Sequence, residues 1–128
     1  MVQAGPKKTI FLVEDDVFMI ELFAKAAVEA GFNVENAQTG KEALEKIPLC
    51  NPDLIVLDLI LPDQNGFEVL RQIRRQSGGP LRKVLILSNL YELKDIDEAK
   101  RLGAIEYLMK ANTSLPEIIQ KINAALAI

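Results

Sequence analysis

The stretch Leu54–Ile55–Val56–Leu57–Asp58 decides the fold of this chain, because four consecutive apolar residues are followed by a single charged one. A run of this kind is typical of a parallel strand that is buried on both faces of a sheet. Three other runs have the same form. They are residues 10–13 before Glu14, Asp15 and Asp16, residues 84–87 before Ser88, and the weaker run 105–109 before Lys110. We therefore predict parallel strands that each end in a polar residue.

Segments with helical spacing separate these runs. Gly31 is placed to end the first helix. Thr39 and Glu42 form a capping-box pattern that opens the second helix, and Pro48 is predicted to stop it. Apolar spacing predicts the other helices over residues 17–30, 66–76, from about 92 to 102 and from 115 onward, with a short strand at 33–37.

Five alternating strand and helix units predict an α/β fold. We expect a doubly wound, five-stranded parallel sheet with the flavodoxin-like strand order 2-1-3-4-5 and helices on both faces. Ligands of such sheets bind at the carboxyl ends of the strands, and the switch point lies between the first and third strands. This geometry predicts that Glu14, Asp15 and Asp58 meet in one crevice, with Ser88 and Lys110 at neighbouring strand ends.

Length and composition indicate one globular domain. The 128 residues are 49% hydrophobic and 26% charged, so we expect a single domain over residues 1–128, structured from about 8 to 127. The net charge of −3 argues against direct binding of nucleic acid. Residues 1–8 form a polar lead without a signal sequence, and no apolar run approaches the ~18 residues of a membrane span. These features favour a cytoplasmic protein without membrane contact.

The chain has one cysteine, Cys50, and no histidine. A lone cysteine beside a turn is typical of an inert thiol, and it cannot form an internal disulfide. The lack of histidine excludes Ser-His-Asp and Cys-His catalytic arrangements and zinc sites that contain histidine. If a phosphohistidine takes part in the chemistry, another protein must supply it.

The acidic residues predict a cation site. Glu14, Asp15 and Asp58 would repel one another unless one is protonated or a cation is bound, and oxygen ligands favour Mg²⁺ or another hard cation. Asp16 is expected to cap the following helix. Together with the acidic cluster, Ser88 and Lys110 would suit a bound phosphoryl group. Their hydroxyl and ammonium would contact the phosphoryl oxygens that the metal leaves free.

At this point the pattern resembles the receiver domain of two-component response regulators, and the match covers essentially the whole chain. The matching blocks are Val13–Glu14–Asp15–Asp16, residues 53–66 (DLIVLDLILPDQNG), Leu87–Ser88 and residues 103–110 (GAIEYLMK). The resemblance implies a role for seven positions of this chain. They are Asp58 as phosphoacceptor, Glu14, Asp15, Asp58 and the backbone carbonyl of Ile60 as Mg²⁺ ligands, Lys110 and Ser88 as partners of the phosphoryl group, and Ser88 and Tyr107 as switch residues.

Two positions depart from the family pattern. Ala111 stands where the family usually has a proline, whose cis peptide helps to aim the lysine, and Asn89 stands where a small residue is usual. Asn89 is expected to narrow access to the pocket. Ile60 and Leu90 are predicted to flank the path of a hydrolytic water, and because both are apolar we expect a long-lived phosphoryl group.

The resemblance implies a signalling phosphoacceptor rather than an enzyme, with slow self-catalysed phosphotransfer and dephosphorylation only. Its expected partners are a histidine kinase or histidine phosphotransfer protein and a downstream target that binds the surface of helix 4, strand 5 and helix 5.

Three alternatives remain open. An aspartate-nucleophile phosphatase of the haloacid dehalogenase type would need a second Asp at position 60, which is Ile60 here. A flavin-binding electron carrier on the same fold would need a phosphate loop where the chain has acidic residues. A pseudo-receiver that binds proteins without phosphorylation is disfavoured because all the chemical positions are filled.

Overall fold

The computed structural model describes residues 6–127, so most of the polar lead predicted over residues 1–8 lies outside the described residues. Five strands alternate with five helices in the described part. They are β1 Thr9–Val13, α1 Val17–Glu29, β2 Asn33–Ala37, α2 Gly40–Cys50, β3 Leu54–Leu57, α3 Gly66–Arg75, β4 Val84–Ser88, α4 Leu93–Arg101, β5 Glu106–Met109 and α5 Leu115–Leu126. Single 3₁₀ turns occur at Gly79–Leu81 and Lys110–Asn112.

The sheet has the predicted topology. All four strand pairs are parallel, and the order is β2-β1-β3-β4-β5. The flavodoxin-like, doubly wound arrangement expected from the sequence is therefore confirmed. None of the helices in residues 6–127 is long and apolar enough to cross a membrane.

The strands separate two apolar layers, because successive side chains of a strand point to opposite faces. In β1, Phe11 and Val13 join a cluster with α2, α3 and α4, whereas Ile10 and Leu12 join a cluster with α1 and α5. β1, β3 and β4 are almost wholly buried. Burial on both faces explains why these strands are continuous apolar runs rather than alternating ones.

The prediction that Pro48 stops the second helix is wrong. α2 continues through Pro48 to Cys50 and ends at Asn51, which has a left-handed φ of 49°. A proline inside a helix leaves the carbonyl four residues earlier without its usual donor. Here Gln76 Nε2 donates to that carbonyl, Leu44 O, at 2.8 Å. A side chain from the segment after α3 thus satisfies the acceptor that Pro48 cannot.

The loop between β3 and α3 is anchored by a close backbone approach at Gly66 and by hydrogen bonds to the start of α2. Gly66 begins α3, and a Cβ at this position would lie 2.3 Å from Leu59 Cα, so a larger residue would push the loop away. Asp63 accepts hydrogen bonds from Gly40 N at 2.8 Å and Lys41 N at 3.0 Å. These contacts fix the segment that directly follows Asp58.

Candidate functional site

Three carboxylates meet at the carboxyl ends of β1 and β3. Val13 pairs with Leu57 in the sheet, so Glu14 and Asp58 leave their strands side by side. One oxygen each from Glu14, Asp15 and Asp58 lies within 4.8 Å of the other two. Glu14 and Asp58 are buried, with 1% and 5% exposure, while Asp15 is exposed. The predicted crevice is therefore present, with one carboxylate open to solvent.

Asp16 caps α1, as the sequence predicted. Its Oδ1 accepts hydrogen bonds from Phe18 N at 3.0 Å and Met19 N at 3.3 Å. Asp16 N donates to Glu14 Oε2 at 3.0 Å. The backbone at the start of α1 therefore also orients the Glu14 carboxylate.

Lys110 lies between two of the carboxylates. Its Nζ is 2.5 Å from Glu14 Oε1 and 2.6 Å from Asp58 Oδ2. Burial opposes the ammonium charge, but the hydrogen bonds to Asp58 and Glu14 outweigh it and raise the pKa of Lys110. Burial raises the pKa of Glu14 despite the hydrogen bond from Lys110. One ammonium for three carboxylates leaves the cluster with excess negative charge.

Asp58 accepts three hydrogen bonds. Its Oδ1 accepts from Ser88 Oγ at 2.7 Å and from Ile60 N at 3.0 Å, and its Oδ2 accepts from Lys110. Ser88 is fully buried at the end of β4. The carboxylate is therefore held by donors from three neighbouring segments and cannot rotate without breaking one of these bonds.

A cavity of about 360 Å³ opens above Asp58. Glu14, Asp15, Ile60 and Lys110 line it together with Asp58, so five predicted site residues share one cavity. Asn89 also lines the cavity, and its narrowing of access stays a prediction. The prediction that Leu90 flanks the same space is not confirmed, because Leu90 is not among the residues that line the cavity and its side chain packs against the apolar cluster under α3 and α4.

Tyr107 faces inward from β5. The residue is 8% exposed, and its hydroxyl donates to the carbonyl oxygen of Leu90. Burial, followed by the charges of Asp95 and Asp58, raises the pKa of Tyr107 to about 12. Its ring forms a T-shaped pair with the ring of Tyr91, with centroids 5.5 Å apart. Tyr91 could not be predicted as a contact of Tyr107, because it lies in a loop without periodicity.

The cluster suits a hard divalent cation. Its potential ligands are all oxygens, the carboxylate oxygens are already close together, and Asp15 faces solvent. Oxygen donors with access to water are the usual environment of Mg²⁺, which keeps several waters when bound. The residues that are present therefore fit Mg²⁺.

The comparisons with known proteins agree with this geometry. A family model described as the response regulator receiver domain matches residues 10–123. The chain belongs to this family. Receiver domains of response regulators are signalling modules of two-component systems, and this chain is such a domain. Of the alternatives, neither the phosphatase nor the pseudo-receiver is favoured.

The similar proteins include both transcriptional and chemotaxis regulators. The alkaline phosphatase synthesis transcriptional regulatory protein PhoP of Bacillus subtilis is 36% identical over 103 residues, which are 80% of this chain and 42% of PhoP. The chemotaxis protein CheY of Thermotoga maritima is 28% identical over 104 residues, 80% of this chain and 85% of CheY. The crystal structure of a CheY-like receiver domain from Methanospirillum hungatei has a TM-score of 0.86 at 27% identity and covers 94% of each chain. This receiver domain spans about half the length of the curated transcriptional regulators that it matches.

Proposed function

We propose that Asp58 accepts a phosphoryl group from a phosphohistidine on a histidine kinase or histidine phosphotransfer protein. The observation that carries this proposal is the environment of Asp58, a carboxylate beside an open cavity with Lys110 and Ser88 on its two oxygens and two further acids next to it. An Asp58 oxygen would form the bond to phosphorus while the P–N bond of the donor breaks. The product is an acyl phosphate on Asp58 and a neutral histidine on the partner.

Glu14, Asp15, Asp58 and the backbone carbonyl of Ile60 are the proposed Mg²⁺ ligands. Bound Mg²⁺ would supply positive charge next to the transferred phosphoryl oxygens. The ammonium of Lys110 is already 2.6 Å from Asp58 and would contact another oxygen of the group. Self-catalysed transfer and hydrolysis are expected to be slow, so we assign the domain a signalling role rather than that of an enzyme.

Ser88 and Tyr107 are the proposed switch. The Ser88 hydroxyl would exchange its bond to Asp58 for one to a phosphoryl oxygen, and Tyr107 contacts the loop that follows Ser88. New contacts to phosphate would shift the population between two arrangements of the α4, β5 and α5 surface. The direct partner of this surface is proposed to be a downstream protein and not nucleic acid, because a net charge of −3 disfavours the phosphate backbone. We further propose that residues 1–128 form a single receiver domain that acts in the cytoplasm.

Phosphorylation by a small donor tests the proposal. Incubation with acetyl phosphate and Mg²⁺ should add one phosphoryl group, visible in intact-mass spectra and removed by hydroxylamine. Asp58→Asn should abolish the addition, because an amide is not a nucleophile of this kind. Asp97→Asn, which changes an exposed acid on α4, is the matched control and should react like the wild type. A wild-type protein that stays unmodified at saturating Mg²⁺ refutes the proposed function.

A further inference from the structure

The two residues that depart from the family pattern are in contact with each other. Ala111 N donates a hydrogen bond to Asn89 Oδ1 at 2.9 Å. The two residues are 22 positions apart in the sequence and lie in different loops. Asn89 is in the loop from β4 to α4, and Ala111 is in the loop from β5 to α5.

Both departures are needed for this bond. A proline at position 111 would have no N–H to donate, and a small apolar side chain at position 89 would have no acceptor. The last register pair between β4 and β5 is Ser88 with Met109. The Asn89–Ala111 hydrogen bond therefore connects the two loops just beyond the last paired residues of β4 and β5.

The two loops carry the groups that contact Asp58. Ser88 directly precedes Asn89, and Lys110 directly precedes Ala111. The backbone of Lys110 lies in the 3₁₀ turn Lys110–Asn112, which is also held by the bond from Thr113 Oγ1 to Met109 O at 2.7 Å. Anchoring this backbone reduces the conformations open to the long lysine side chain, whose ordering is otherwise entropically costly.

We propose that Asn89 is a positioning residue, which holds the loops of Ser88 and Lys110 together through the Ala111 N–H and thereby keeps the Lys110 ammonium on Asp58. The inference rests on the proposed function, since positioning is for phosphoryl transfer to Asp58. The bond lies at the surface, so its expected effect is modest, a fall of about threefold in the rate of phosphorylation when it is removed.

The experiment must separate the hydrogen bond from the bulk of Asn89, because this side chain also lines the cavity. Asn89→Leu keeps a side chain of similar size but removes the hydrogen-bond acceptor. Asn89→Ala removes both the acceptor and the bulk of the side chain. If Asn89 acts by positioning, acetyl phosphate should phosphorylate both variants about threefold more slowly than the wild type. If bulk restricts access, Asn89→Ala reacts faster than the wild type and Asn89→Leu does not. That result overturns the inference.

Two further measurements complete the test. In an Ala111→Pro background, which lacks the donor, Asn89→Leu should leave the rate unchanged. The hydrogen exchange of the Ala111 amide should accelerate in Asn89→Leu, whereas Asn33→Leu, on an exposed residue of the edge strand β2, should change neither exchange nor rate. A rate loss in Asn89→Leu that persists in the proline background, or unchanged Ala111 exchange, refutes the inference. The exchange result decides on the hydrogen bond even if the wild type is not phosphorylated, so the two failures are distinguishable.

Discussion

Replacing Lys110 by methionine tests how the acidic cluster is held together. The change removes an ammonium that lies 2.5 Å from Glu14 and 2.6 Å from Asp58 but keeps a long apolar side chain. Without it, two buried carboxylates face each other with no opposite charge between them. In the absence of Mg²⁺ the folded protein should lose stability.

The size of the loss follows from burial. Removing one partner of a buried ion pair costs about 3–5 kcal/mol. The Lys110 side chain is 19% exposed and the site lines an open cavity, so we expect a loss at or below the lower end of that range, about 2–3 kcal/mol. For a domain of this size such a change lowers Tm by about 10 °C.

The loss should depend on pH in a defined direction. Burial already raises the pKa of Glu14 above its ordinary value of 4.5, and the Lys110 hydrogen bond and charge partly offset that rise. Lys110→Met removes the offset, so the folded-state pKa of Glu14 rises further. Between this raised pKa and 4.5 the folded state binds more protons than the unfolded state, which stabilises it as pH falls. The difference in unfolding free energy between the wild type and Lys110→Met should therefore be smaller at pH 5 than at pH 7.

Denaturant unfolding in EDTA, at pH 7 and at pH 5, measures both effects. Saturating Mg²⁺ should restore more stability to Lys110→Met than it adds to the wild type, because a cation then takes the place of the lost ammonium. Lys100→Met, on the exposed surface of α4, is the matched control and should unfold like the wild type. Wild-type stability of Lys110→Met at pH 7 without metal would show that the ion pairs do not hold the site together.

Two more predictions concern the same cavity. Asp15→Ala should weaken Mg²⁺ binding, measured by titration calorimetry, at least tenfold more than Asp16→Ala, because Asp16 caps α1. Asp16→Ala should instead lower the unfolding free energy by about 1 kcal/mol, and equal losses of Mg²⁺ affinity would contradict this assignment. Ile60→Asn should shorten the lifetime of the phosphorylated protein up to about tenfold, equivalent to ~1.4 kcal/mol in the barrier, because a polar side chain in the cavity lining can orient water. An unchanged or slower decay would show that Ile60 does not control access of water.

The strands and the site could be predicted because both follow from local pattern. The apolar runs that end at Asp58 and Ser88 are long enough to indicate buried parallel strands, and parallel strands bring their carboxyl ends to one edge. Convergence of Glu14, Asp58 and Lys110 then follows from topology alone. Their distances do not, since these depend on side-chain conformations that the order of residues leaves open.

The features that sequence reasoning missed depend on contacts between distant residues. Pro48 is a local signal for the end of a helix, yet the Gln76 side chain satisfies the carbonyl of Leu44, 32 residues earlier, which Pro48 leaves without a donor. In the sequence, Asn89 and Ala111 are two separate departures from the family pattern. Their hydrogen bond depends on the fold, which places the two loops side by side. A single sequence records each residue but not such pairs.

Three consecutive residues connect the chemistry of the site to its surface. Ser88 donates to Asp58, Asn89 accepts from Ala111 N, and Leu90 O accepts from the Tyr107 hydroxyl. A movement of the Ser88 hydroxyl toward a phosphoryl group would act on a loop whose next two residues bind the β5–α5 loop and the aromatic side chain of β5. The shortness of this connection favours a concerted change, because none of the three bonds can shift far without stretching another. On the proposed function, phosphorylation of Asp58 therefore reaches Tyr107 through two peptide units rather than through the hydrophobic core.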